Sequence, residues 1–362
     1  MNNRLTVNYE NKPAYDIVLE TNFAKLADEI RSLRMESRRF MVITDSNVAE
    51  LYVTEVMEIL QPIAKAVHSF VFPAGEAYKN LDTVSQCYEQ LISKGYDRGD
   101  ILIALGGGVT GDLTGFVAAT YLRGIQFLQV PTSLLSMVDS SIGGKTGVDF
   151  KSYKNMVGAF HQPKLVYMNL STLQTLSEAE YFSGMGEIIK HGLIKDADYY
   201  SWLKGQVKPI QEKDFDILKE MIYRSCGIKR DVVEADPKEQ GIRATLNFGH
   251  TIGHSVEKLM NFSLLHGECV SIGIAAAAYI SWKRGNLSET EFADIVKTLE
   301  LFNQPVGVKG LTAEDIYMVT RLDKKMDADK IKFILLKQIG NSVIDNSVSK
   351  EEMLLAIKSI LM

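Results

Sequence analysis

The sequence predicts an α/β N-terminal domain built on a mostly parallel sheet, followed by a mainly α-helical C-terminal domain. Three observations carry this reading. Over the first ~170 residues, short apolar runs alternate with amphipathic stretches, the pattern of strands joined by crossover helices. After Thr172 the periodicity becomes helical. Between the two patterns of the first half stands a glycine cluster, GGGVTGD, directly after a strand-like run and before a helix-like one.

Taken in order, FMVITD (40–45) reads as a strand and 48–60 as a helix. AVHSFVF (66–72) is a strand and 81–94 a helix. ILIAL (101–105) is a buried strand broken by glycines, ahead of a helix running to Tyr121. IQFLQV (125–130) is stopped by Pro131, and KLVYMNL (164–170) is a further strand. Right-handed crossovers make such a sheet parallel. Helical periodicity then recurs near 178–205, 213–234, 248–260, 268–285, 288–301 and 349–361, while KIKFILL and NSVI, separated by 337–340, read as a small hairpin. The domain boundary falls near 171–177, giving domains 1–172 and 173–362, and 362 residues suit two domains. Ligands of open α/β sheets sit at the carboxyl ends of the strands, so the interdomain cleft is the expected site.

Composition narrows the function. Apolar residues make up 46% and charged residues 23%, ordinary values for a globular chain. The formal net charge of −5 supplies no global basic field for nucleic acid or an anionic membrane. Cys87, Cys226 and Cys269 are odd in number and far apart, which fits a reducing, cytoplasmic compartment with inert thiols. The polar start MNNRLTVNYENKPAYD lacks the apolar core of a secretion signal, and the most apolar stretch, 269–280, is too short to span a bilayer.

Glycines at 106–108 let backbone N–H groups approach a phosphate, and the following helix start adds partial positive charge. The spacing is not GxGxxG. SSIGGKTG (140–147) is not a phosphate-binding GxxxxGK[ST] loop either, because Asp139 occupies the first glycine position. Lys145 and the pair Lys154–Asn155 remain beside this loop as groups suited to a phosphate or carboxylate. His250 and His254 are four apart and share a helical face, and His266 follows closely. Imidazoles converging in this way, completed by a carboxylate such as Glu187 in GMGEIIKHG, suit a divalent metal. Spacing does not choose which two histidines ligate; His191 is the weaker candidate. Lys190 shares a face with Glu187. Lys229, Arg243 and Asn247 add polar groups, and the last two align if the helix of His250 starts early. Concentrated cations in an acidic chain point to a small polyanionic substrate.

The chain resembles the 3-dehydroquinate synthase family. The resemblance rests on GEAYKN, LGGGVTGDLTGFVAATYLRG, VPTSLLSMVDSSIGGKTGVD, KNMVGAFHQP, GMGEIIKHG, LNFGHTIGHSVE and HGECVSIG, in that order over nearly the whole length. It implies a dehydroquinate synthase-like fold with a Rossmann-like first domain that binds NAD. The implied cofactor contacts are Asp45, Asn47, Ala74, Gly75, Glu76, Ala77, Tyr78, Lys79, Gly108, Val109, Thr110, Gly111, Asp112, Thr132, Ser133, Lys145, Lys154, Thr172, Leu173, Gln174 and Thr175. It implies one divalent ion, Zn or Co, held by Glu187, His250 and His266. His254 then faces the substrate with Lys145, Asn155, Lys190, Lys229, Arg243 and Asn247, and Arg123 reaches the neighbouring subunit's site in a homodimer. The implied reaction converts 3-deoxy-D-arabino-heptulosonate 7-phosphate to 3-dehydroquinate and phosphate by transient oxidation, elimination, re-reduction and aldol closure.

The same resemblance matches Lys324–Lys325 to a DKK segment. This chain departs from the family at Gly186, where alanine is common, at His191 and at Cys269; a glycine beside Glu187 is expected to loosen that turn. The alternatives are another sugar phosphate cyclase, such as 2-deoxy-scyllo-inosose synthase, and a metal-dependent glycerol or alcohol dehydrogenase. The first tends to carry Glu where Asn247 stands here, and the second does not need this density of cations.

Overall fold

The computed structural model describes residues 3–151, 153–261, 263–323 and 331–362. The chain forms two compact units, Met1–Leu176 and Ser177–Met362. Lys324 and Lys325 lie outside the described residues.

The first unit contains β1 (Arg4–Tyr9), β2 (Lys12–Glu20), α1 (Leu26–Ser32), β3 (Arg39–Asp45), α2 (Ser46–Val48), α3 (Thr54–Leu60), β4 (Ala66–Phe72), α4 (Leu81–Ser93), β5 (Ile101–Gly106), α5 (Gly108–Thr120), β6 (Gln126–Pro131), β7 (Lys145–Phe150), β8 (Tyr153–Phe160), β9 (Leu165–Asn169) and α6 (Thr172–Thr175). Its main sheet has the order β1-β2-β9-β6-β5-β3-β4. Only β1 and β2 pair antiparallel; the rest is parallel, as the alternation predicts. Both faces are covered, which is why the strands read as continuous apolar runs. Along β3, Phe40 and Val42 enter one core cluster with Leu60 and Ile103, while Met41 and Ile43 enter the other with Leu91 and Phe127. The chain leaves β3 towards β4 on one side and takes up β5 on the other, so the crevice of an open sheet lies beyond the carboxyl ends of β3 and β5.

Two ribbons escape the sequence reading. β1 and β2 meet through Glu10 and Asn11, both at positive φ (51° and 62°), the tight-turn geometry that suits a twisted hairpin. β7 and β8 form a separate two-stranded sheet in which Gly147 faces Gly158. A Cβ on Gly147 would stand 2.9 Å from the Val157 carbonyl oxygen, so the glycines that hide the strand pattern are also what let these backbones approach.

The second unit contains α7 (Glu178–Lys195), α8 (Ala197–Gly205), α9 (Val207–Gln211), α10 (Phe215–Ala235), a 3-10 segment (Ile242–Asn247), α11 (His250–Leu259), α12 (His266–Lys283), α13 (Glu289–Leu301), α14 (Ala313–Asp323), the expected hairpin β10 (Phe333–Gln338) and β11 (Asn341–Asp345), and α15 (Lys350–Ser359). The helix expected over 178–205 is broken at Asp196. This residue leaves helical geometry at φ −149° and caps α8 by accepting from Tyr199 N at 2.7 Å.

Helix α12 packs against α7, α11, α13 and α15. Small residues bring these backbones close. A Cβ on Gly273 would lie 1.8 Å from the Gly249 carbonyl oxygen, and one on Gly267 would lie 1.7 Å from that of Ser183. Gly186 does not loosen α7. The helix is continuous there, and a Cβ would meet Gly267 O at 2.6 Å, so this glycine admits α12. Among the described residues no helix is long and apolar enough to cross a membrane.

Candidate active site

In the first unit the implied cofactor residues other than Lys145 and Lys154 follow the carboxyl ends of the parallel strands. Asp45, closing β3, caps α2 by accepting from Asn47 N (3.0 Å) and Val48 N (3.2 Å). Its other oxygen accepts from Thr110 Oγ1 at 3.2 Å, tying the end of β3 to the first turn of α5. Helix α5 begins after Gly107, and among the described residues no side chain caps it. The amides of Gly108, Val109 and Thr110 therefore form an open helix start beyond the sheet, the arrangement that receives a phosphate. Gly111 serves packing instead, since a Cβ there would lie 2.7 Å from Gln129 Oε1.

Past β4, the segment from Ala74 to Lys79 turns at Gly75 (φ 118°), and Ala74 N donates to Ser46 Oγ at 3.1 Å. Glu76, Ala77 and Tyr78 form one 3-10 turn. Thr132 and Ser133 follow β6, with Thr132 N donating to Gly106 O at 3.0 Å. Thr172, Leu173, Gln174 and Thr175 form α6 after β9. Leu173 is fully buried, so its side chain is a packing group, whereas Thr175 Oγ1 meets the Tyr52 hydroxyl.

Lys79 is buried. Its ammonium bonds Asp112 Oδ2 (2.7 Å) and Asn155 Oδ1 (2.7 Å), with Glu76 at 3.7 Å. Burial alone disfavours its charge, but Asp112 and then Glu76 outweigh that and hold its pKa above the usual lysine range. The Asn155 amide is thereby oriented: its oxygen faces the cation and its NH2 group is turned away as a donor. The backbone of Asn155, at φ 54°, is pinned by its N–H donating to Asp149 Oδ1 at 2.8 Å. Lys145 and Lys154 do not converge. They occupy opposite ends of the β7–β8 ribbon, about 14 Å apart along it. Arg123 lies beyond the far end of α5, exposed, at φ 68°. Thirteen helical residues place it about 20 Å from the glycine start of that helix.

The second unit holds the histidine cluster. Gly249 adopts a left-handed conformation (φ 82°), and α11 begins only at His250. The early helix start that would align Arg243 with Asn247 is therefore not present. Ile242–Asn247 is a 3-10 segment, whose tighter winding separates residues four apart. His250 and His254 share a face with ring centroids 5.0 Å apart, and His266, opening α12, lies 5.4 and 5.8 Å from them. One ring nitrogen of each falls within 4.8 Å of the others.

Glu187 arrives from α7. Its Oε2 is bonded by Lys190 Nζ, and its Oε1 stands 3.6 Å from His250 Nε2 and 3.8 Å from His266 Nε2. That Oε1 is buried without a hydrogen-bond partner among the described residues. His250 Nδ1 faces the Phe248 carbonyl at 3.2 Å and so carries a proton. Burial first, then Lys190 and the neighbouring imidazoles, holds His250 well below the usual histidine range, so the ring is neutral and Nε2 presents a lone pair. A carboxylate oxygen and an imidazole lone pair turned towards each other in a buried place repel unless a cation stands between them. The donor set of one carboxylate and two imidazoles suits a divalent transition metal.

Lys190, Lys229 and Arg243 are buried cations on elements that pack together, α7, α10 and the 3-10 segment. Arg243 Nη1 donates to Pro237 O at 2.8 Å and Asn247 Nδ2 to Glu239 Oε1 at 3.2 Å. His191 is buried and its Nδ1 meets Ser225 Oγ at 2.7 Å, a structural partner. The thiols are free and buried, and burial pushes Cys87 and Cys226 up to about 12. Sequence reasoning missed Glu257, whose Oε2 lies 3.6 Å from His266 Nδ1. It continues the His250–His254 face by three residues, which is the signal that would have found it.

Comparison with known proteins identifies the family. Residues 69–183 match the 3-dehydroquinate synthase N-terminal family and residues 184–326 the C-terminal family. A 3-dehydroquinate synthase of Acetivibrio thermocellus is 41% identical over 351 residues, covering 97% of each chain. The crystal structure of 2-deoxy-scyllo-inosose synthase complexed with carbaglucose-6-phosphate, NAD+ and Co2+ is similar with a TM-score of 0.89 and 25% identity, covering 99% of this chain and 100% of that one. The 2-epi-5-epi-valiolone synthase of Streptomyces hygroscopicus subsp. jinggangensis 5008, with NAD+ and Zn2+ bound, is similar with a TM-score of 0.88 and 27% identity, covering 98% of this chain and 99% of that one. The chain belongs to the 3-dehydroquinate synthase family.

Proposed function

We propose that the chain converts 3-deoxy-D-arabino-heptulosonate 7-phosphate to 3-dehydroquinate and phosphate, with NAD on the first unit and one divalent ion, Zn2+ or Co2+, on the second. The observation that carries this reading is the buried, unbonded Oε1 of Glu187 facing the Nε2 atoms of His250 and His266. Those three side chains would hold the ion, leaving a coordination position for substrate. His254, on the same face of α11, would then face the substrate. The open start of α5, with Asp45, Asn47 and the turn from Ala74 to Lys79 beside it, would receive the dinucleotide.

When bound, NAD supplies a reversible hydride acceptor at C5 of the sugar, and the ion polarises the adjacent hydroxyls. The chain's own groups bind and orient. Lys190 neutralises one oxygen of Glu187 and leaves the other for the ion. Lys229 and Arg243 meet carboxylate and phosphate oxygens, each charge-assisted bond contributing about 1.5–3 kcal/mol. Asn155, its oxygen held by Lys79, offers an N–H donor to a substrate oxygen. Lys145 adds an exposed cation at the other end of the ribbon. Arg123 is too far along α5 to serve its own glycine loop, which favours a homodimer in which it serves the partner. The exposed Phe150, Tyr153, Met156 and Phe160 of the β7–β8 ribbon would be covered by that second copy. Buried free thiols fit the cytoplasm.

The test is turnover with NAD present at a small fraction of the substrate concentration. Phosphate release continuing over many turnovers without NADH accumulation is expected. NADH building up in step with phosphate would reject the reading, and glucose 6-phosphate turning over in place of the heptulosonate would move it to another cyclase.

A further inference from the structure

We propose that Arg98 is a positioning residue: it holds the turn that carries Arg123, and so sets the direction in which that guanidinium meets the anionic substrate in the partner's site. This rests on the reading above in which Arg123 serves the second copy.

The turn after α5 is strained. Leu122 and Arg123 both stand at positive φ (49° and 68°), and Gly124 follows at 119°. Two successive non-glycine residues at positive φ are uncommon, because Cβ crowds the backbone there. The Leu122 side chain is exposed, so its burial does not offset the conformation. Such a conformation persists only where surrounding contacts hold it, and it collects at active sites and ligand clamps.

The contacts that hold this turn come from the loop between α4 and β5. Tyr121 Oη donates to Tyr96 O at 3.0 Å, and Arg98 Nε donates to Leu122 O at 3.0 Å. The second bond falls on the planar peptide group that joins Leu122 to Arg123, and its donor is charged, which makes it stronger than a neutral one. Because Arg123 N belongs to that peptide, a change in its tilt turns the Arg123 side chain directly. Arg98 is itself fixed at its base. Gly99 N donates to Asp97 Oδ1 at 2.7 Å, and the buried Asp100 accepts from Asp97 N (2.8 Å) and Arg39 N (2.9 Å). A chain of contacts thus runs from the start of β3 through Arg98 to Arg123. Arg98 does not close the turn: Gly124 N donating to Tyr121 O (2.9 Å) and Ile125 N to Ala118 O (2.8 Å) do so. Removing Arg98 therefore leaves the fold in place and frees the tilt of one peptide.

The experiment is steady-state kinetics of Arg98→Met, which keeps the apolar stem and removes the donor. The KM for the heptulosonate phosphate is expected to rise about 3–10-fold, the span of one lost net hydrogen bond, with kcat changed less than about twofold and NAD affinity unchanged. Mixed dimers of Arg98→Met with His250→Ala, isolated through different tags, keep one live site, and an intact Arg98–Arg123 pair faces it. They are expected to show the wild-type KM. A KM still raised in these mixed dimers places the effect of Arg98 in its own chain's site and overturns the proposal, as does a homodimer KM within twofold of wild type. A rise in KM that vanishes at about 1 M salt, where the screening length is about 3 Å, reduces Arg98 to a diffuse charge and overturns it too. Arg123→Ala mixed with His250→Ala is the control. Recovery there upholds the reading of Arg123 whatever Arg98 does, and no recovery in demonstrated mixed dimers overturns that reading and this proposal with it. Should Arg98→Met not assemble into dimers, Arg98→Ala is measured in the same way, with the same expectations.

Discussion

Replacing Gly273 by alanine tests whether close helix packing is what builds the proposed metal site. A Cβ at 273 would stand 1.8 Å from the carbonyl oxygen of Gly249 and 2.8 Å from the amide nitrogen of Gly253. Both are backbone atoms, so no rotamer can absorb the clash. Bringing the nearest contact out to 3.0 Å, the lower limit of real Cβ contacts, moves the backbones of α11 and α12 apart by about 1.2 Å. His250 directly follows Gly249, so the proposed ligand moves with it, whereas metal sites tolerate about 0.2 Å in ligand distance. Overpacking usually costs 1–3 kcal/mol, and a clash against backbone belongs at the top of that range, about 3 kcal/mol. For a unit of this size, melting falls about 2–4 °C per kcal/mol, so a drop of roughly 6–12 °C is expected, with Zn2+ affinity lost by more than tenfold. Calorimetry of the metal-free protein and a chelator-competition titration measure the two effects. A variant that melts within 2 °C of wild type and binds Zn2+ equally well would refute the argument that the α11–α12 approach sets the ligand geometry.

Two further outcomes follow from individual contacts. Glu352 accepts from Arg284 through both carboxylate oxygens (2.6 and 2.8 Å), and Arg284, with Ser349 N–H, holds it down to about 2. Because its folded pKa lies below its ordinary value, this carboxylate stabilises the fold above pH 4.5 and ceases to as pH falls towards 2. With the side chain 34% exposed, screening leaves about 1 kcal/mol; urea unfolding of Glu352→Gln should show that deficit at pH 7 and a shrinking one below pH 4.5, and a deficit constant with pH would dissociate it from the Arg284 pair. Arg123 is tested by subunit mixing. Arg123→Ala and His250→Ala proteins, each inactive alone, should regain up to roughly a quarter of wild-type activity when reassembled together, since one site per mixed dimer is then complete. No recovery, with mixed dimers demonstrated, would place Arg123 in its own chain's site.

The parallel sheet was legible because its strands are buried on both faces and therefore stand out as apolar runs between amphipathic helices. Phe40 to Ile43 and Ile101 to Leu105 show this directly. The β7–β8 ribbon was not legible, since Gly147, Gly158 and scattered polar residues erase any alternation, and its formation depends on packing against α5. The break at Asp196 was hidden because one Asp serves equally well inside a helix surface and as a cap, and only the chain direction beyond it decides. In the candidate site, the i, i+4 spacing of His250 and His254 is a local property of a helix and was visible. The expected alignment of Arg243 with Asn247 failed because a left-handed Gly249 separates two segments that a pattern of residue types cannot distinguish from one.

By itself, then, the order of residues determined the strand–helix alternation, the glycine start of α5 and the shared helical face of His250 and His254, because each depends on neighbours a few positions away. Only the tertiary structure decided that Glu187 meets His250 and His266, that Lys190 takes the other oxygen of Glu187, that Lys79 orients Asn155 and that Glu257 stands behind His266. Those pairings join residues remote in sequence across helices brought within backbone contact. The distance at which α7, α11 and α12 settle is set by the whole packed unit, through glycines whose effect appears only where another backbone lies against them.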